Sequence, residues 1–145
     1  MRRVDKDRLL LWFGVLLFLL GLLTGLVTGA MNNPRMGLSA HLEGVMNGVF
    51  LVVLGLLWGR LRLSARWLTA LFWLALYGTY TNWATTLAAA LFGTGRTTPI
   101  AGAGHHGTGW QENLVDAGLY SLTVAMLAVC VIALVGLWPG AGREQ

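Results

Sequence analysis

Long apolar stretches, interrupted by short polar ones, run through almost the whole chain. Four of them approach the roughly 20 residues that a helix needs to cross about 30 Å of hydrocarbon: 9–30, 37–59, 67–92 and 112–138. None alternates with the period of two that a transmembrane barrel strand requires. Backbone groups in lipid must be paired within the segment, so helices follow. The pattern predicts an all-α fold: a polytopic membrane protein with a four-helix transmembrane bundle, forming one domain over 1–145.

Composition strengthens that picture. Hydrophobic residues make up 56% of the 145, and charged residues 11%, against about 25% in ordinary soluble domains. The seven Trp lie mostly near the ends of the apolar runs, where aromatic belts form. The net charge of +4 comes from loop residues and is no nucleic-acid footprint. Arg2, Arg3, Lys6 and Arg8 precede the first span, and Arg60, Arg62 and Arg66 border the second connection, whereas the first and third connections carry only Arg35 and Arg96. The positive-inside rule then predicts a bacterial inner-membrane protein with cytoplasmic N- and C-termini. The first span is too long for a signal peptide and lacks a clear small-x-small cleavage site. The lone Cys130 has no intrachain partner and reads as a small hydrophobe in an apolar run.

Polar residues enter the spans selectively. His41, Glu43 and Asn47 fall early in the second, and Tyr77, Tyr80, Thr81, Asn82, Thr85 and Thr86 run from the middle of the third outward. Glu112, Asn113, Asp116, Tyr120 and Thr123 fall early in the fourth. With the helices oriented as above, all three groups lie in the outer half of the bilayer. Ionisable groups there are costly and usually functional. Glu43 and Asn47, four apart, share a helix face. His41 lies on another face, flanked by Gly37, Gly44, Gly48 and Gly55, which leave flat space for a neighbouring helix or a planar macrocycle. Structural roles stand beside these readings. His41 could bond across helices, Glu43 could pair with His41 or Arg35, and Asp116 could serve a helix N-terminus. The asparagines and threonines could be interhelical glue, and the tyrosines packing residues. Gly21, Gly25 and Gly29 form a small-xxx-small pattern suited to close helix contact. The third connection, 93–109, is Gly-rich and expected to be flexible, and its His105–His106 pair lacks the neighbours of a zinc site.

The run from Asn33 through Pro34, Gly37, His41, Glu43 and Asn47 to Gly48, with Tyr80-Thr81-Asn82-Trp83, resembles hydroxylaminobenzene mutase. More distantly the chain is similar to styrene oxide isomerase, which has the same spacing from His41 to Asn47-Gly48 and an asparagine at the position of Asn82. The resemblance implies an isomerase converting N-phenylhydroxylamine to 2-aminophenol. It implies ferric haem b held by His41 beside Gly44 and Gly48, near the subunit interfaces of a homotrimer. Asn47 and Asn82 would orient the aromatic hydroxylamine, and Glu43 or Asp116 would stabilise charge or take a proton. The chain departs from the epoxide isomerase at Thr86, where that enzyme has a substrate-binding tyrosine, and this leaves Tyr80 or Tyr120 as replacements. Alternatives are an epoxide isomerase, haem-free acid catalysis, or a non-enzymatic haem-binding or transport protein with four spans.

Overall fold

The computed structural model describes residues 5–139. Arg2 and Arg3 of the basic N-terminus, and the C-terminal residues from 140 on, lie outside the described residues. Among those described there is no strand. Five α-helices occur: α1 (Lys6–Val27), α2 (Pro34–Leu57), α3 (Ala65–Phe92), α4 (Pro99–Gly102) and α5 (Gly109–Gly136). Four are long. α4 is a single turn inside the connection that the sequence reads as Gly-rich and flexible. Short 3₁₀ turns, Thr28–Ala30 and Trp58–Arg60, close α1 and α2.

By length and composition three helices can cross a membrane: Lys6–Ala30, Pro34–Arg60 and Gly109–Gly136. Three of the four expected spans meet this measure. α3 is as long as α5, at 28 residues, but the polar stretch from Tyr77 to Thr86 lowers its mean hydropathy. Large apolar side chains cover the outside of the molecule, with Leu26 82%, Val124 70% and Leu134 69% exposed. So much exposed apolar surface is unfavourable in water and fits a membrane protein.

Local sequence sets the helix ends. Asn33 caps α2, its side chain accepting from Met36 N at 3.1 Å, with Pro34 supplying a helical φ at the first position. Thr108 and Gln111 form a capping box at α5. α3 stops at Gly93, whose φ of 72° lies in the left-handed region, and the Gly93 amide bonds back to Ala89 O at 2.9 Å.

α1 packs along α2, α2 along α3, and α3 along α5. The α1–α2 contact is the closest. A Cβ on Gly21 would stand 2.6 Å from Val45 N, and one on Gly48 would stand 2.6 Å from Phe18 N, so backbone meets backbone. Association in lipid gains from such van der Waals contact rather than from hydrophobic exclusion of water. Below this contact a buried cluster including Leu10, Leu17, Leu51, Leu71, Phe72 and Val129 fills the bundle. Gly78 receives Met126, and Gly118 lies under Thr85, where α3 meets α5.

The 93–108 connection is tied down rather than free. Fully buried Asn33 donates from Nδ2 to Ala101 O at 3.1 Å and Gly102 O at 3.0 Å. Glu112 accepts from the backbone N–H groups of Gly95, Arg96 and Gly107 at 3.3, 3.1 and 2.9 Å. Glycines let the chain fold close enough for one carboxylate to collect these amides.

Candidate active site

α2 and α3 bring three of the expected residues together. Glu43 Oε2 accepts from Asn47 Nδ2 at 3.2 Å, one turn along α2, and from Asn82 Nδ2 at 2.5 Å across the helix interface. Asn47 is buried, while Glu43 and Asn82 are partly buried. Glu43 pairs with neither His41 nor Arg35. The one ion pair among the described residues joins Arg96 to Asp116. The carboxylate is thus held by two neutral amides from two helices, with no cation to absorb its charge. Such a group retains capacity to accept a proton or to face a developing positive charge.

His41 turns toward α1. Its Nδ1 lies 2.8 Å from Gly21 O. A carbonyl oxygen can only accept, so Nδ1 carries the proton. In the neutral imidazole Nε2 then keeps its lone pair, available to a metal ion or a hydrogen-bond donor. The ring is partly exposed. The flat space beside Gly44 and Gly48 is filled by α1: Gly44 meets Gly21, and Gly48 meets Gly14 and Phe18. Of the two occupants the glycine strip allowed, a neighbouring helix or a planar group, the structure has the helix. Gly44 and Gly48 therefore have no free face on that side for a cofactor, because the backbones of α1 and α2 need the room.

The remaining expected residues lie elsewhere. Asp116 accepts from Arg96 Nε at 2.7 Å, again from Arg96 Nη2, and from Thr97 Oγ1, while Arg96 Nη2 also donates to Asn113 Oδ1 at 2.7 Å. Asp116 thus belongs to the loop anchor and not to the Glu43 group. The pocket expected among the second, third and fourth long helices is replaced by a cluster on α2 and α3 backed by α1, because α5 packs on α3 through Gly118, Leu122, Ala125 and Val129. Tyr120 and Thr123 then face outward, Tyr120 being 65% exposed. Tyr80 donates from Oη to Phe13 O at 2.8 Å and ties α3 to α1. Tyr77 donates to Ser121 Oγ at 2.8 Å. His105 and His106 are exposed, and no group of three metal-ligating side chains occurs among the described residues.

Sequence reasoning missed the part played by α1. Gly21 O receives His41, Phe13 O receives Tyr80, and Thr24 Oγ1 receives Trp83 Nε1 at 3.1 Å. The glycine spacing was the one available signal, and it pointed only to close packing.

With this geometry in view, comparison decides the family. The sequence model for styrene oxide isomerase matches residues 6–138. The chain belongs to that family. Within it, the chain is 54% identical over 139 residues to hydroxylaminobenzene mutase HabB of Ectopseudomonas oleovorans, covering 95% of this chain and 85% of the relative. It is 47% identical over 125 residues to hydroxylaminobenzene mutase HabA of the same organism, covering 86% of this chain and 93% of the relative. No solved structure gives a significant match. Similarity of this extent to two mutases makes the chain an isomerase. Thr86, the position where styrene oxide isomerase was expected to differ, is buried and donates to Asn82 O at 2.7 Å. Its hydroxyl supports the backbone that carries Asn82. Neither Tyr80, committed to Phe13 O, nor exposed Tyr120 joins the Glu43 group.

Proposed function

We propose that this isomerase rearranges N-phenylhydroxylamine to 2-aminophenol within the membrane. One observation carries the reading: a carboxylate, Glu43, gathers two amides from two helices where no cation competes for it. The reaction breaks the N–O bond and forms a C–O bond at the ortho carbon. The ortho hydrogen leaves as a proton and nitrogen gains one, so composition and oxidation level are unchanged overall and no electron partner is needed. Asn47 and Asn82 orient the N–OH group by hydrogen bonding. Glu43 faces the positive charge that spreads over the arylamine as the N–O bond weakens, and then accepts the ortho proton. The apolar surroundings admit the substrate from lipid and limit capture by water.

His41 would hold the iron of haem b. Its Nδ1–H is held by the Gly21 carbonyl, a hydrogen bond that orients the ring and leaves Nε2 for iron. When bound, ferric haem would supply a Lewis acid for the hydroxylamine oxygen. The assembly in this reading is a homotrimer with haem near its subunit interfaces.

In the same reading the protein spans the bacterial inner membrane four times, with cytoplasmic termini. α3 serves as a span despite its composition because most of its polar groups bond within the protein, through Tyr77, Thr79, Tyr80, Asn82, Trp83 and Thr86. Arg60 and Arg62, in the connection between α2 and α3, and Arg66, in the first turn of α3, support the orientation.

The test supplies N-phenylhydroxylamine to the purified protein in lipid nanodiscs. The expected result is 2-aminophenol carrying no oxygen from labelled water, together with a Soret band that His41→Ala abolishes. Absence of product overturns the reading. Product without a Soret band leaves the isomerase and removes the haem. Faster turnover of styrene oxide would favour the epoxide reading that the family match also supports.

A further inference from the structure

We propose that Gly25 and Gly21 of α1 act as positioning residues for His41: Gly21 supplies the acceptor, and Gly25 supplies the space that lets the ring reach it. The inference rests on the reading that His41 Nε2 serves the reaction. Each glycine of α1 touches something different. A Cβ on Gly25 would stand 2.7 Å from His41 Nδ1, 3.1 Å from Cε1 and 3.2 Å from Cγ. Its three nearest neighbours are thus all atoms of one imidazole ring. A Cβ on Gly14 would instead meet Gly48 O and Val52, each at 2.8 Å, and one on Gly21 would meet the backbone of Gly44 and Val45. Gly14 and Gly21 let two backbones touch. Gly25 does not serve that purpose. Gly29, next in the same four-residue series, has nothing within 4 Å.

The small-residue series therefore splits into three roles that the sequence presents as one. At Gly25 the absent methyl is what allows Nδ1 to lie 2.8 Å from Gly21 O. That hydrogen bond fixes two things at once: the tautomer, with the proton on Nδ1, and the plane of the ring. Outer-shell partners of this kind are typically worth about 10–100-fold in metal affinity or activity. The side chain that meets an added methyl here is a single ring free to turn away, so the fold tolerates the change while the imidazole loses its place.

The experiment compares full-length Gly25→Ala with Gly29→Ala and Gly14→Ala in nanodiscs. Turnover of N-phenylhydroxylamine is measured alongside the ¹⁵N signals of the His41 ring. His105→Gln and His106→Gln serve as background substitutions, and any haem is held in the diamagnetic ferrous carbonyl state. Gly25→Ala is expected to lose the hydrogen-bonded Nδ1–H signal and about 10–100-fold in kcat, with an unfolding midpoint near that of the parent. Gly29→Ala should match the parent in all three. Gly14→Ala should lower the unfolding midpoint while its folded fraction keeps the Nδ1–H signal. Retention of the Nδ1–H signal in Gly25→Ala overturns the proposal, as does its loss without a fall in kcat. If the parent makes no 2-aminophenol, the functional reading fails instead, and the ¹⁵N signals still report whether Gly25 sets the ring.

Discussion

Two carboxylate sites, one at the middle of the helices and one at their end, show how the same side chain acquires opposite duties. Glu43 is held by the amides of Asn47 and Asn82 alone. Glu112 and Asp116 are saturated: the first by three backbone N–H groups, the second by Arg96 and Thr97. A carboxylate that collects backbone amides and a guanidinium fixes a loop and has little left to offer a substrate. One that meets only neutral side-chain amides keeps its basicity for chemistry, at the expense of an unneutralised charge in an apolar setting. Placement within a span says nothing about this difference. The partners decide it.

The contrast can be broken most directly at Glu43. Glu43→Gln preserves shape and most hydrogen bonding, so its folding should change little while kcat falls by about 10²–10⁴-fold, the usual range for a lost acid–base group. Equal turnover by the variant in a product assay would erase the distinction between the two sites. Next in size, Glu112→Ala strands three amide donors at a buried position. A loss of about 3 kcal/mol in unfolding free energy is expected, read as a lower midpoint in detergent, with the surviving folded protein still active. A folded but inactive Glu112→Gln would move Glu112 to the catalytic side of the comparison.

Smaller effects sharpen it. Arg96 is 52% exposed and Asp116 13%, so Arg96→Ala should cost only about 0.5–1 kcal/mol after solvent screening. The cost should shrink further in high salt, and a large salt-independent loss would show that the pair does more than anchor the loop. Smallest of all, Tyr77→Phe removes one exposed hydrogen bond between α3 and α5. Its effect on stability should stay near 0.5 kcal/mol, and kcat should not move. A marked fall in kcat would bring the α3–α5 face into the site.

Hydropathy alone determined the four long helices, because lipid admits few alternatives to a continuous apolar helix. Their observed ends lie within three residues of the expected ones. Sequence also singled out His41, Glu43, Asn47 and Asn82, since polar groups in apolar runs stand out, and four-residue spacing joined Glu43 to Asn47. It joined Asp116 to them as well, because depth along a helix was the only coordinate available. Tertiary structure decided the rest. The direction in which each helix turns its polar face depends on where glycine allows two backbones to touch, and that is a property of pairs of helices. Hence α1, with no ionisable residue between Arg8 and its end, became the helix that holds His41. α5, with two acids, became the anchor of a loop. No pattern along one strand of sequence contains those pairings, because they depend on contacts between separate segments, 20 positions apart for Gly21 and His41 and 16 for Arg96 and Glu112.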